Sequence, residues 1–401
     1  MDKNELIRKR TRNNIPKFYI AAFFGNWSFA TGILVFHYRE LGFSFLQIFT
    51  ISVVYEILNF FLEIPTGVLA DLWSCKKTIT LGYFISGISF FIVLLNPDSY
   101  KIYIVWSILS AICTTLNSGS VTAYIYDSVH EYNSDEYPKV LGRISAISLG
   151  TQAISIITGG ILSDLIGFNL ALFLSGIGGI LQTIVIALTH EPIMEKTKNN
   201  LYMSKSLTKQ FLEKISESFK ILFTKTELKN MLYYGIFIFI LSEFVSVIYQ
   251  PYFSNLGFSS KTEISIFSAG SLIILAISSL IAGHWKNSNN KGNLLETLSF
   301  CLCLSLILIK IPALGIPSFI IFYGAMGIIG VVFSDRMNRL IPSNSRATIL
   351  SAQNQLGSIG YSIIAIFTGL SIDSLGITTT SFIVGFCSII FLLFIFKSKN
   401  K

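Results

Sequence analysis

Three carboxylates stand where a carboxylate is costly. Glu56, Glu63 and Glu243 fall inside long apolar stretches, and neither Glu56 nor Glu243 has a lysine or arginine close by in sequence. An acid in hydrocarbon is expensive and marks a functional position by default. Desolvation favours the neutral, protonated form, so each of the three suits proton binding. The competing reading is structural: an acid hydrogen-bonded between two helices. Glu56 and Glu63 are seven residues apart and share one helix face, with Gly67 one turn further on.

Neutral polar residues accompany the acids. Asn26, Thr31, Asn117, Ser118, Gln152, Tyr249, Gln250, Gln353 and Gln355 all lie in or near apolar tracts. Some of these glue helices together; Asn26, Asn117, Gln152, Tyr249 and Gln250 are the candidates for contact with a substrate. Asn26 and Glu243 sit at similar depth in the first and seventh tracts, and are expected to reach one central cavity. Pro251 removes an amide beside Gln250 and is expected to loosen its helix.

Other chemistry is missing from the sequence. There is no phosphate-cradling Gly-Lys-Ser/Thr run and no nucleophile–His pair. The four histidines, His37, His130, His190 and His284, make no metal spacing. The five cysteines form no disulfide framework, and Cys301-x-Cys303 has no His or carboxylate beside it. The expectation is no enzyme, no cofactor and no metal.

These residues hang on twelve apolar tracts. The first six run Phe18–Tyr38, Leu46–Ala70, Ile79–Leu95, Ile102–Tyr126, Val140–Ile166 and Leu170–Leu188. The second six run Met231–Phe253, Ile264–Ala282, Leu294–Ile311, Ser318–Phe333, Ile349–Ile372 and Ile377–Phe396. About 20 apolar residues cross a bilayer as a helix, and helix is required there because lipid offers no partner to open backbone groups. Of 401 residues, 52% are hydrophobic and 13% charged, and mean hydropathy is +0.64. That is too little charge to cover a water-facing surface. The net charge of +8 is scattered over short loops rather than gathered on a polar domain, which argues against nucleic acid. Of the 30 Lys and Arg, all but Arg39, Lys101, Lys261 and Lys310 fall on one side of a twelve-helix layout. The positive-inside rule makes that side the cytoplasm, with both termini there. The first tract is too long for a signal-peptide core and reads as a retained helix.

One long break, Thr189–Asn230, divides the tracts six and six. The resulting domains are an N-terminal bundle over 1–188, a cytoplasmic loop over 189–230 and a C-terminal bundle over 231–401. Within the loop, Leu207, Phe211, Ile215, Phe219 and Leu222 recur at helical spacing with Lys209, Lys214 and Lys220 between them. That pattern is an amphipathic helix lying on the membrane face, serving either as tether or as regulator. The halves also echo each other. Leu41-Gly42-Phe43-Ser44 returns as Leu256-Gly257-Phe258-Ser259. Thr158-Gly159 leading to Asp164 and Gly167 returns as Thr368-Gly369 leading to Asp373 and Gly376. Duplicated halves place a substrate site at their interface.

The stretch Gly67-Val68-Leu69-Ala70-Asp71-Leu72-Trp73-Ser74-Cys75-Lys76-Lys77 resembles the cytoplasmic loop motif of the major facilitator superfamily, Gly-x-Leu-Ala-Asp-Arg-x-Gly-Arg-Lys. Gly67, Leu69, Ala70, Asp71 and Lys76 match; Leu72, Ser74 and Cys75 depart. The resemblance covers the whole chain. It implies an all-α membrane protein of twelve transmembrane helices in two pseudo-symmetric six-helix bundles. It implies an inner gate in which Gly67 allows close helix contact, Asp71 meets a helix N-terminus and Lys76 and Lys77 pair with acids such as Asp127. Two patterns of drug–proton antiporters are missing. Thr115 stands where those proteins carry an Arg before Gly119, and Ser155-Ile156 precedes Gly159-Gly160 in place of Gly-Pro.

The functional expectation is a secondary active transporter of alternating access in a bacterial inner membrane, monomeric, moving a small molecule with a coupling ion. The first reading is proton-driven export of a small amphipathic or hydrophobic compound. The second is uptake of a small nutrient with protons or sodium. A receptor or scaffold without flux is the third.

Overall fold

The computed structural model describes residues 11–192, 226–284, 291–341 and 346–397. The segment expected to form the amphipathic helix, with Leu207 through Leu222, lies outside the described residues. Every regular element among those described is helical. The helices are α1 Asn14–Gly25, α2 Leu34–Glu40, α3 Phe45–Trp73, α4 Cys75–Leu95, α5 Tyr100–Asn117, α6 Ser120–Asn133 and α7 Tyr137–Leu165. They continue as α8 Phe168–Ala187, α9 Thr226–Asn255, α10 Lys261–His284, α11 Lys291–Leu308, α12 Gly315–Leu340, α13 Arg346–Leu375 and α14 Ile377–Lys397. Ten spans are long and apolar enough to cross a membrane, and Leu294–Leu308 is a shorter apolar helix. With the first tract, split between α1 and α2, they fit the twelve-crossing layout. Large apolar side chains such as Phe61, Leu280, Phe367 and Phe394 are exposed, as lipid-facing residues must be.

Two tracts expected to be single helices are broken. The first unwinds over Asn26–Ala30 before a 3-10 turn at Thr31–Ile33. Asn26 is the cause: its side-chain amide donates to the Ala22 carbonyl at 2.7 Å and competes with the helix ladder. The opened backbone finds other partners. Ser155 Oγ donates to the Asn26 carbonyl at 2.8 Å and accepts from the Ser28 amide at 3.3 Å. Ser175 Oγ accepts from the Ala30 amide at 3.4 Å. The fourth tract breaks at Ser118–Gly119, where Gly119 has φ +69°, a conformation glycine adopts without strain. Pro251, by contrast, does not break α9, which runs unbroken to Asn255.

The chain forms two compact units. Unit one holds residues 1–37, 54–204 and 259–269; unit two holds 38–53, 205–258 and 270–401. Each unit therefore takes the first turns of one helix from the other half of the sequence. In unit one, a core of Ile15, Phe18, Ile79, Tyr124, Val129, Val140 and Ile186 closes one end. In unit two, Leu228, Met231, Leu232, Met337, Ile341 and Ile349 form the corresponding core. Small residues bring the helices together, as expected where lipid supplies no hydrophobic drive between them. A Cβ on Gly179 of α8 would lie 2.7 Å from Gly87 Cα of α4. In unit two a Cβ on Gly385 of α14 would lie 2.8 Å from the Cys303 carbonyl of α11. Cys303 is fully buried there.

The tightest of these contacts braces the broken first tract. A Cβ on Gly159 would come within 1.9 Å of the Phe29 carbonyl oxygen, whereas one on Gly142 of the same helix would meet nothing. Gly159→Ala should therefore destabilise the protein by roughly 1–3 kcal/mol through overpacking, read as a lower unfolding temperature in detergent. Gly142→Ala should be neutral or slightly stabilising, because alanine is the better helix former. Identical melting curves for the two variants would contradict the placement of this brace.

Candidate functional site

In unit one two of the candidate acids lie along α3, and Glu63 meets the break in the fourth tract. Glu56 is buried, at 7% exposure. Beside it the Tyr55 hydroxyl donates to Thr114 Oγ1 at 3.0 Å. Two turns on, Glu63 accepts a hydrogen bond from Ser118 Oγ at 2.8 Å. Thr66 Oγ1 then donates to the Thr115 carbonyl at 3.1 Å, one of the last carbonyls of α5, which its own helix leaves without a partner. So α3 holds the α5 side of the break at two points, and Glu63 sits at the break itself. Asn117 turns toward α4: its amide donates to Cys113 Sγ at 3.4 Å, and a Cβ on Gly82 would lie 2.7 Å from its Oδ1. Asn26 lines a cavity of about 180 Å³ inside the unit, together with Phe18, Tyr83, Tyr124 and Gln182. Gln152 is half-buried on α7, one turn before Ser155.

In unit two a second polar cluster gathers on α9, α10 and α12. Gln250, 2% exposed, donates from Nε2 to the Tyr249 hydroxyl at 3.0 Å. The Tyr249 and Tyr323 rings meet edge to face at 6.4 Å between centroids. The Tyr323 hydroxyl is hydrogen-bonded to Ser271, and Glu243 is near enough to act on it electrostatically. Tyr323 and Ser271 escaped the sequence reading, because a tyrosine in a Phe-rich tract and a serine in an apolar one carry no distinguishing pattern. Nothing in the sequence joined α12 to Glu243.

The loop between α3 and α4 has a definite local build. Ser74, one of its departures from the superfamily motif, caps α4 by accepting from the Lys77 amide at 3.3 Å, an ordinary N-cap. Within unit one no atom approaches within 4 Å of where a Cβ on Gly67 would stand, so the close contact expected of it is not made inside this unit. Lys76 Nζ donates to the Thr189 carbonyl at 2.7 Å, at the end of α8. Asp127 is half-buried on α6, three residues before His130. Asp71 falls in the last turn of α3; its side chain lies outside what the structure describes.

The echoed segments carry the most extensive polar geometry. In unit one, Asp164 at the end of α7 accepts from the Lys261 amide at 2.9 Å, and from the Thr262 amide at 2.8 Å and hydroxyl at 2.6 Å. In unit two, Asp373 at the end of α13 accepts from the Phe45 amide at 2.8 Å and the Leu46 amide at 2.9 Å. Each carboxylate thus caps the N-terminus of a helix, α10 or α3, where the macrodipole favours negative charge. Those N-termini are themselves built alike. Ser44 and Gln47 exchange hydrogen bonds at 2.9 and 3.2 Å; Ser260 and Glu263 do so at 3.2 and 3.0 Å. Both are capping boxes. The echoed glycines Gly42, Gly257, Gly167 and Gly376 all have positive φ, which explains why glycine recurs there. Gly160 and Gly369, each one turn before the capping acid, let α7 approach α10 and α13 approach α3 closely. A Cβ on them would meet Ser265 Oγ at 2.1 Å and Leu46 Cα at 2.9 Å, respectively. The sequence held this signal as a repeat; what the repeated acids bind was not readable from it.

Comparison with known proteins agrees with this architecture. The family model of the Major Facilitator Superfamily matches residues 18–365. The chain is 25% identical over 357 residues to the uncharacterized MFS-type transporter YxaM of Bacillus subtilis (strain 168), covering 88% of this chain and 87% of that protein. Among solved structures it is similar to a bacterial homolog of the human lysosomal transporter Spinster, with TM-score 0.76, 14% identity and coverage of 98% and 97%. It is also similar to the nucleoside transporter NupG, with TM-score 0.73, 16% identity and coverage of 97% and 100%. A family model spanning most of the chain, over a helical fold built twice from the same caps, makes this multi-pass membrane protein a member of the major facilitator superfamily, and so a secondary transporter.

Proposed function

We propose that the protein moves a small amphipathic or hydrophobic compound out of a bacterial cell, across the cytoplasmic membrane, by proton-coupled alternating access. It works as a monomer with both termini in the cytoplasm. The observation that carries the reading is the pair of carboxylates, Asp164 and Asp373, each seated on a helix N-terminus at equivalent positions of the repeat. Such a pair is a charge latch that can be broken and remade with little rearrangement of either helix. The Lys and Arg asymmetry assigns the latch to the outer side. An inner gate at Asp71, Lys76 and Lys77 would then alternate with it.

Proton coupling falls to Glu56, Glu63 and Glu243. Glu63 has a hydroxyl partner at a break in a helix, so its loss of charge would change how α3 grips the end of α5. The substrate region is assigned to Asn26, Asn117, Gln152, Tyr249 and Gln250, joined now by Tyr323. Aromatic rings with a few neutral hydrogen-bonding groups suit a weakly charged molecule. Uptake of a nutrient is the second reading, and the likeness in fold to a nucleoside transporter favours it.

Two measurements test this. Asp164→Asn with Asp373→Asn keeps the shape of each side chain but removes both charges and one acceptor oxygen at each site. A charge at a helix terminus contributes about 0.3–1 kcal/mol when exposed and ~2 kcal/mol when partly buried, so the outer side should open about tenfold more often. In a background without native Cys, Ile264→Cys should then react at least several-fold faster with a membrane-impermeant thiol reagent. An unchanged rate would remove the latch from the mechanism. Separately, Gln at Glu56, Glu63 or Glu243 should abolish pH-driven uphill flux at one or more positions while sparing substrate-for-substrate exchange, which needs no net proton movement. If all three variants still concentrate substrate against a gradient when driven by pH, the coupling carboxyl lies elsewhere.

A further inference from the structure

In unit one, α4 and α8 enclose an open groove of about 470 Å³. Its lining changes character along its length. Lys76, Lys77 and Thr80 of α4 stand at one end with Ala187 of α8, two residues from the Thr189 carbonyl that Lys76 holds; Thr183, Leu81 and Phe84 line the rest. Lys77, Leu81 and Phe84 follow each other at four- and three-residue spacing, so they share one face of α4. From Lys77 to Phe84 is seven residues, about 10 Å along the helix. That is the distance from a headgroup phosphate into the upper acyl chains. Phe84 is 45% exposed, and no carboxylate stands among the described residues that line the groove.

The basic end is held in place. Lys76 Nζ is fixed by its 2.7 Å bond to the Thr189 carbonyl, which uses one of three donors and leaves the others to turn outward. Lys17 Nζ is fixed on the neighbouring Leu188 carbonyl at 2.6 Å, adding a third cation at the same end of α8. Lys77 is exposed. We infer that this groove binds an anionic phospholipid, with the phosphate on Lys76 and Lys77 beside Ala187 and one acyl chain along Leu81 and Phe84. Inorganic phosphate would satisfy only the lysines, and a neutral lipid only the apolar part. A net negative headgroup with a chain satisfies both, as basic recesses between transmembrane helices do. The site does not depend on which compound is transported or in which direction.

The test uses the full chain reconstituted in vesicles of phosphatidylcholine doped with phosphatidylglycerol carrying a photoreactive group on one acyl chain. Irradiation should attach the lipid to the α4 peptide containing Leu81 and Phe84. The same label on phosphatidylcholine should give a much weaker adduct there. Lys77→Gln should cut the phosphatidylglycerol adduct about fivefold, the effect of one surface lysine. Ala187→Trp, which fills the groove at an exposed position without altering charge, should cut it as far or further. Excess inorganic phosphate should leave the adduct in place. Equal labelling by the two lipids, no response to either substitution, or displacement by phosphate alone would each overturn the assignment.

Discussion

Backbone amides and carbonyls cannot be left open in hydrocarbon, and the rest of this structure depends on how that constraint is met. Twelve tracts meet it mostly as unbroken helix. At two places they do not, and there the surrounding helices supply hydroxyls. Ser155 and Ser175 serve the opened backbone around Asn26 and Ala30; Thr66 serves the Thr115 carbonyl beside Gly119. A broken helix in a membrane is tolerated only where protein closes around it, so each break draws polar groups into the interior. That is why Glu63 finds Ser118 and why Asn26 borders an internal cavity.

The duplication of the chain extends this economy to its turns. Both halves use a left-handed glycine, a Ser-x-x-Gln/Glu capping box and an aspartate brought in from another helix to finish the same kind of helix start. A helix N-terminus presents four donors without intrahelical partners. The capping box satisfies part of them and Asp164 or Asp373 the remainder. These bonds are charge-assisted and lie near a surface. Glycines one turn before each aspartate set the helix approach that makes the bonds reachable.

The two polar clusters differ in build. In unit one a carboxylate is bonded to a hydroxyl at a hinge in the backbone. In unit two Glu243 accompanies two tyrosines and a buried glutamine on continuous helices. On the proposed function, a proton arriving at the first would act on helix geometry, while one arriving at the second would act on side chains proposed to contact the substrate. This division suits a transporter, in which ion binding must be felt both by the gate and by the cargo.

What the sequence determined by itself is the class of the molecule and its outline. Hydropathy, the side preference of Lys and Arg, the repeat and the loop motif at Gly67–Lys77 are all one-dimensional quantities, and lipid forces them into helices whatever the neighbours do. The membrane acids were visible for the same reason: their cost is set by the solvent, not by the fold. Only the tertiary structure decided where the first and fourth tracts break, because Asn26 and Ser118–Gly119 are tolerable in an apolar helix until a neighbour offers Ser155 or Thr66. It alone disclosed that the echoed aspartates seat on the helix starts at Phe45 and Lys261, more than 300 and nearly 100 residues away. It alone gathered Tyr323 and Ser271 around Tyr249 and Glu243. Contacts between residues so far apart in the chain depend on helix register and approach, which are set by small-residue packing such as Gly160 against Ser265, and single-sequence periodicity carries no record of which helix lies opposite.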